Sequence, residues 1–260
     1  MALTNSQKEE IKNLLRKKIE NKLRNYGRET STMPFLARLI QDDEKIAAYS
    51  FIHSIATTLG MSIYEDVSVI IASANSTECF RNYGVGGVIS KAQKSVIAKI
   101  ITELRNKERT ANIKNETRDV LKASSSNGKF QKAGNIADFY MNRNSAEYFF
   151  EIKTVKPNMD IFEASKTKLL EWVARRRKPV KVFLAFPYNP YHPEPYSRFT
   201  ETGMMNHPND FLVGEEYWNF IGGENTFPQL LKTFDEVGKE FKEKLKKKFQ
   251  EIAIQKISSY

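Results

Sequence analysis

The chain has 260 residues, 40% of them hydrophobic, and a formal net charge of +10 at pH 7. That composition can bury a real core, and the basic balance favours a polyanionic partner. The single cysteine, Cys79, excludes a disulfide framework and a cysteine-based zinc site, and His53, His192 and His207 are too scattered for a two-histidine zinc motif. No secretory leader is expected ahead of the first helix, and no run of about 18 apolar residues marks a membrane span, so a cytoplasmic protein with no membrane partner is expected.

Residues 1–110 read as mainly helical. Ser6 to Tyr26 is an amphipathic helix with Ile11, Leu14, Leu15, Ile19 and Leu23 on one stripe, basic residues around it, and a capping box of Ser6 with Glu9. Gly27 ends it, and Pro34 suits the first turn of the next helix. Asp43 to Ala74 keeps a helical period that Gly60 divides in two. The second piece opens with Glu65 and Asp66, acids that a helix N-terminus favours. Tyr83 to Gly87, YGVGG, lacks the G-K-[ST] ending of a phosphate loop, follows no strong strand signal, and leads into a helix over Val88 to Lys107. Ser124 to Gly128, SSSNG, is a loop.

The chemistry gathers in the next stretch. Two apolar runs, Ile136 to Met141 and Tyr148 to Lys153, flank the polar cluster Asn142-Arg143-Asn144-Ser145 and read as a β-hairpin. With Asn142 to Ser145 as a four-residue turn, Met141 pairs with Ala146 and Asp138 lies opposite Phe149. Period two then puts Asp138, Phe149, Glu151 and Lys153 on one face, the two carboxylates being diagonal neighbours with Cα atoms roughly 7–8 Å apart. Charges in a half-buried sheet are costly unless paired or metal-bound, and two convergent carboxylates suit one Mg²⁺. The competing reading is a solvated face with a lysine salt bridge.

At Asp138, Glu151 and Lys153 the sequence resembles the PD-(D/E)xK nuclease superfamily, with Ala137 where the namesake proline would stand. The longer stretch ADFY…FFEIKTVKPN…FEASKTKLLEWVARR is similar to TdeIII-type type II restriction endonucleases. The resemblance implies an α/β (α+β) fold: a restriction-endonuclease-like core with a mixed central β-sheet flanked by helices, a helical N-terminal region and a long C-terminal helix. It further implies Mg²⁺-dependent cleavage of double-stranded DNA at a short palindrome such as GGNCC, leaving 5′ phosphates, with Mn²⁺ able to substitute. Asp138 and Glu151 would hold the metal, with the Ile152 carbonyl as a further ligand, and Lys153 would orient water or stabilise charge. Glu65 becomes the candidate for the superfamily's auxiliary acid, and Lys156 and Asn158 become candidate neighbours of the scissile phosphate. A palindrome suits a homodimer, and a restriction enzyme pairs in the cell with a DNA methyltransferase. The alternatives are a repair or junction-resolving nuclease of the same core and a non-catalytic DNA-binding protein.

Beyond the hairpin, Asp160 with Glu163 is expected to cap a helix whose Phe162, Leu169, Leu170 and Val173 face inward. Basic residues including Lys166, Lys168 and Arg175 surround it, and Lys166 and Arg175 are candidate phosphate contacts. Val180 to Phe186 reads as a buried strand parallel to its predecessor, which completes a core over residues 134–187 within one nuclease domain, 1–260. Residues 188–227, rich in proline and aromatics, read as an irregular insertion in which Arg198, Asn206 and His207 are candidate base readers. Residues 228–257 form the last helix, with an apolar stripe from Leu230 to Ile252.

Overall fold

The computed structural model describes residues 3–26, 34–153, 157–197 and 203–254. The chain divides into two compact units, Glu65–Phe227 on the one hand and Leu3–Tyr64 with Pro228–Tyr260 on the other. No helix of the described residues is long and apolar enough to cross a membrane.

The second of these units is helical. It contains α1 (Asn5–Asn25), α2 (Pro34–Ile40), α3 (Asp43–Thr58) and, from Pro228 on, the last helix, α9 (Thr226–Ile254). Ion pairs tie α1 to α9, Lys12 to Glu236 at 2.7 Å and Arg16 to Glu240 at 2.8 Å. Tyr26, Phe51 and Ile252 form a buried cluster with Leu23, Ile55, Leu245 and Phe249 packed against it. The capping box of α1 is Thr4 with Gln7, not Ser6 with Glu9; both are legitimate box spacings, and Ser6 lies two residues past the cap, inside the first turn. Gly60 does fall between two α-helices: it sits in a π turn, Leu59–Ile63, that separates α3 from α4 (Tyr64–Ala72).

The Glu65–Phe227 unit is built on a mixed five-stranded sheet in the order β1-β2-β3-β4-β5. Strands β1 (Glu78–Gly84), β2 (Ile136–Arg143) and β3 (Ala146–Ile152) are antiparallel. Strands β4 (Lys181–Phe186) and β5 (Phe211–Val213) continue parallel to β3. The crossover from β3 to β4 is helix α7 (Met159–Arg176), as parallel pairing requires. One sheet face meets α7, with Phe149 against Trp172 and Phe162 against Phe186. Helices α5 (Lys91–Arg105) and α6 (Ile113–Lys122) add to the same core. The opposite face carries Phe150, packed on Phe183 and on Tyr217 of α8 (Glu215–Gly222), whose hydroxyl meets Ser68 of α4 at 2.7 Å. Covered on both sides, β3 reads as a near-continuous apolar run with isolated charges.

The hairpin turn differs from its expected form. The strands continue through Asn142 and Arg143, with Asn142↔Glu147 and Arg143↔Ala146 paired. The turn is only Asn144-Ser145, both with positive φ (52° and 62°), the backbone of a two-residue type I′ connection. The shift moves the partner of each residue by two positions, so faces are conserved while neighbours change.

Other elements lacked a strong sequence signal. Strand β1 ends at Gly84, inside YGVGG; the helix after it starts at Lys91, capped by Ser90 with Gln93, not at Val88. Gly87 there serves packing: its φ is +71°, and a Cβ on it would collide with the Arg175 carbonyl. Helix α6, capped by Asn112, has no counterpart among the expected elements. Residues 188–227 contain β5 and α8 and are not wholly irregular. Helix α7 is capped by Asn158, which accepts from the Ile161 N–H at 3.1 Å, so Asp160 lies inside the first turn and pairs with Arg105.

Candidate active site

The ladder between β2 and β3 runs down to Phe139↔Phe150. One step further the same register sets Asp138 against Glu151, so the two carboxylates face each other directly where a diagonal placement was expected. Beyond that point Asp138 takes over the role of the strand, its Oδ2 accepting the Ile152 N–H at 2.8 Å. Glu151 is buried, at 4% exposure. Lys153, two residues on and on the same face, reaches Glu151 Oε1 at 2.5 Å.

A fourth group enters from α7. The Lys168 ammonium pairs with the other Glu151 oxygen and lies 5.5 Å from the centroid of the Trp172 ring. By sequence alone Lys168 is one of several basic residues around this helix. A usable signal was present: Ser165, Lys168 and Trp172 fall on one helical line, and both outer members are buried. A lysine on the core-facing line of a helix calls for a buried partner.

Glu65 stands close by. It is 8% exposed, and a guanidinium nitrogen of Arg81 on β1 lies 2.9 Å from it, while Arg81 also holds Asp66 at 2.6 Å. Burial pushes the Glu65 carboxyl above the usual range, against the pull of Arg81, and the Asp138 charge adds to the rise. Asp138 is raised too, first by burial and then by the Glu151 charge, with Lys168, the Ile152 N–H and Lys153 opposing. Burial alone would lower Lys153, but Glu151, Asp138 and Glu65 more than offset it and leave the ammonium above its ordinary pKa.

These residues suit a hard divalent cation. No cluster of three or more His, Cys, Asp or Glu side chains with metal-ligand placement occurs among the described residues. Mg²⁺, however, is ordinarily held by one or two carboxylates, with water and substrate oxygens completing the shell. Two facing carboxylates, with Asp138 disfavoured as an anion by burial and by its neighbour, are a donor set that a cation would relieve.

The other expected site residues have different fates. Lys166 is fully buried, paired with Glu116 at 2.6 Å and with Asp210, and offers nothing to a phosphate in solvent. Arg175 is 3% exposed and donates to the Gln131 and Ala133 carbonyls at 2.9 and 2.8 Å, so it holds the approach to β2 in place. Both point to the core side of α7, which a count of basic residues does not reveal. Asn158 is the α7 cap. The Asn206 N–H donates to Asp210 at 2.7 Å, and His207 meets Glu216 at 2.7 Å while staying partly exposed. Lys156 and Arg198 lie outside the described residues.

The chain is 29% identical over 227 residues to the type II restriction enzyme MjaII of Methanocaldococcus jannaschii, covering 79% of this chain and 60% of MjaII, so it spans less than two thirds of that relative. Two type II restriction enzymes of Herpetosiphon aurantiacus are also similar. HgiEI is 27% identical over 228 residues, 85% of this chain and 82% of its own length. HgiBI is 28% identical over 196 residues, 72% and 71%. No solved structure matches. The family model that matches is that of HinfI, where the sequence resembled the TdeIII type within the same restriction class. Its match runs over residues 3–238, across both the hairpin and the helices that frame it, and the chain therefore belongs to the HinfI family of type II restriction endonucleases.

Proposed function

We propose that this chain hydrolyses phosphodiester bonds of double-stranded DNA at a short palindrome, with Mg²⁺ as cofactor, and leaves 5′-phosphate ends. The observation that carries the reading is the facing pair Asp138 and Glu151 with Lys153 on the same face. Asp138 and Glu151 would hold the ion, joined by the Ile152 carbonyl. When bound, Mg²⁺ polarises a phosphate oxygen and acidifies water.

The remaining work falls to side chains. The site buries Glu151 and keeps Lys153 protonated at neutral pH, so a fixed positive charge stands beside the place where negative charge grows on phosphorus. Glu65, held by Arg81, adds negative potential to the same pocket. The net charge of +10 draws the duplex in. GGNCC is the recognition sequence to try first, on the strength of the TdeIII-like block. A two-fold site suits a homodimer with one catalytic centre per strand, and a cognate methyltransferase would protect the host.

The test is digestion of a mapped plasmid in Mg²⁺ and sequencing of the ends. Discrete fragments with 5′ phosphates at one palindrome are expected. A smear, cutting only at branched DNA, or no cutting by a protein that binds duplex would overturn the reading.

A further inference from the structure

Glu151 spends both of its carboxylate oxygens on ammonium groups, Lys153 on Oε1 and Lys168 on Oε2. A cation ligated by Glu151 needs one of those oxygens. The two lysines differ in where they can turn when displaced. Lys153, 38% exposed at the side chain, leaves β3 on the same face as Glu151, whereas Lys168, 23% exposed, reaches across from α7 at the edge of an open groove of about 590 Å³ lined also by Arg105 and Thr167 and by the carboxylates Asp160, Glu163 and Glu171. Charge balance sharpens the point. Asp138, Glu151, Lys153 and Lys168 sum to zero, and Glu65, Asp66 and Arg81 beside them sum to −1, so a divalent cation leaves the site with net positive charge unless negative charge arrives with it.

We propose that Lys168 is a built-in competitor: its ammonium and the divalent cation contend for Glu151, and the displaced ammonium turns to a DNA phosphate. This rests on the nuclease reading above and adds a regulation to it. Binding of phosphate and of metal become mutually reinforcing, because each removes the partner that opposes the other, and linkage makes the coupling reciprocal. Lys168 is a positioning residue for the cation, distinct from the catalytic Lys153.

Mn²⁺ binding to the full chain without DNA, followed by titration calorimetry, tests the first half. Lys168→Met keeps the aliphatic stem over Trp172 and should bind Mn²⁺ on the order of 10-fold more tightly than the unaltered protein. Unchanged or weaker affinity overturns the proposal. Lys168→Gln carries the same measurement if the Met variant does not fold. The second half is read in Glu151→Gln, which frees Lys168 and removes cleavage. Binding of a mixed-sequence duplex as a function of KCl should show a log–log salt slope lower by about one when Lys168→Met is added; equal slopes overturn it. The nuclease reading fails separately, if Glu151→Gln binds Mn²⁺ as the unaltered protein does.

Discussion

Strand β3 carries two buried glutamates on one face, and they make an instructive pair. Glu147 and Glu151 are four residues apart, 7% and 6% exposed at the side chain, and each is bracketed by two cations. Glu147 pairs with Arg176 and with Lys178 at 2.7 Å, at the end of α7. Glu151 pairs with Lys153 and, from the middle of α7, with Lys168. The difference lies across the hairpin. Glu147 faces Asn142, a neutral amide, whereas Glu151, one register step beyond the ladder's end, lies within reach of the Asp138 charge. Burial pushes Glu147 up, but Lys178 and Arg176 outweigh it and hold the carboxyl below its ordinary pKa. At the other end Asp138 is raised. One end of the strand is a satisfied anchor; the other retains a repulsion that folding alone does not relieve. A buried glutamate with two cationic partners is thus not in itself a sign of catalysis, and the opposing acid is what separates the two.

The comparison breaks most sharply on activity. Asp138→Asn should remove cleavage of plasmid DNA by roughly a thousandfold or more, and Lys153→Ala by about a hundred- to a thousandfold, since each deletes charge placed for the transition state. Asp138→Asn should at the same time leave the melting temperature at pH 7 unchanged or higher. The sign follows from the raised carboxyl: the folded protein holds its proton to higher pH than the unfolded chain does, so ionisation near neutrality works against the fold, and the amide removes that penalty. A lower melting temperature would mean that Asp138 is a structural anchor like Glu147.

Two residues along α7 offer the next contrast. Lys166 and Lys168 are nearly adjacent, but Lys166 is sealed between Glu116 and Asp210 with no exposure on any of the three. Lys166→Met should cost about 3–5 kcal/mol in denaturant unfolding, because it strands two carboxylates in the core. Lys168→Met should cost far less, since its head is partly exposed and its stem can still pack.

The smallest expected effect is at the anchor itself. Glu147→Gln should leave cleavage rates close to those of the unaltered protein and destabilise by about 1–2 kcal/mol, discounted because Lys178 is 56% exposed. Its pH signature is distinct. The folded pKa is depressed, so the stabilisation is complete above the unfolded value of 4.5 and is lost as pH falls through the folded value. The stability gap between Glu147→Gln and the unaltered protein should therefore be full and constant above pH 4.5 and close as pH falls from 4.5 through the lower folded value.

The shared face of the candidate site is legible in the amino-acid sequence. The spacing of Asp138, Glu151 and Lys153 predicted a shared face, and the parallel strand Val180 to Phe186 and its crossover helix showed in their apolar periodicity. Strand β1 carries a weak signal because its exposed positions are Glu78, Phe80 and Asn82 and its half-buried ones Cys79, Arg81 and Tyr83, a poor alternation on a sheet edge. The basic residues of α7 misled because a helix carries lysines on every side, and only packing tells a sealed one from an exposed one.

What the amino-acid order determined by itself was parity. Side chains alternate with period two along any strand, so the two acids were bound to share a face under the four-residue turn and the two-residue turn alike. The tertiary structure alone decided the rest: the left-handed backbone at Asn144 and Ser145 set the acids opposite each other, and the packing of α7 on the sheet brought Lys168 to Glu151 while burying Lys166. Periodicity is local and survives a change of register, whereas a meeting between residues far apart in sequence depends on how whole elements dock.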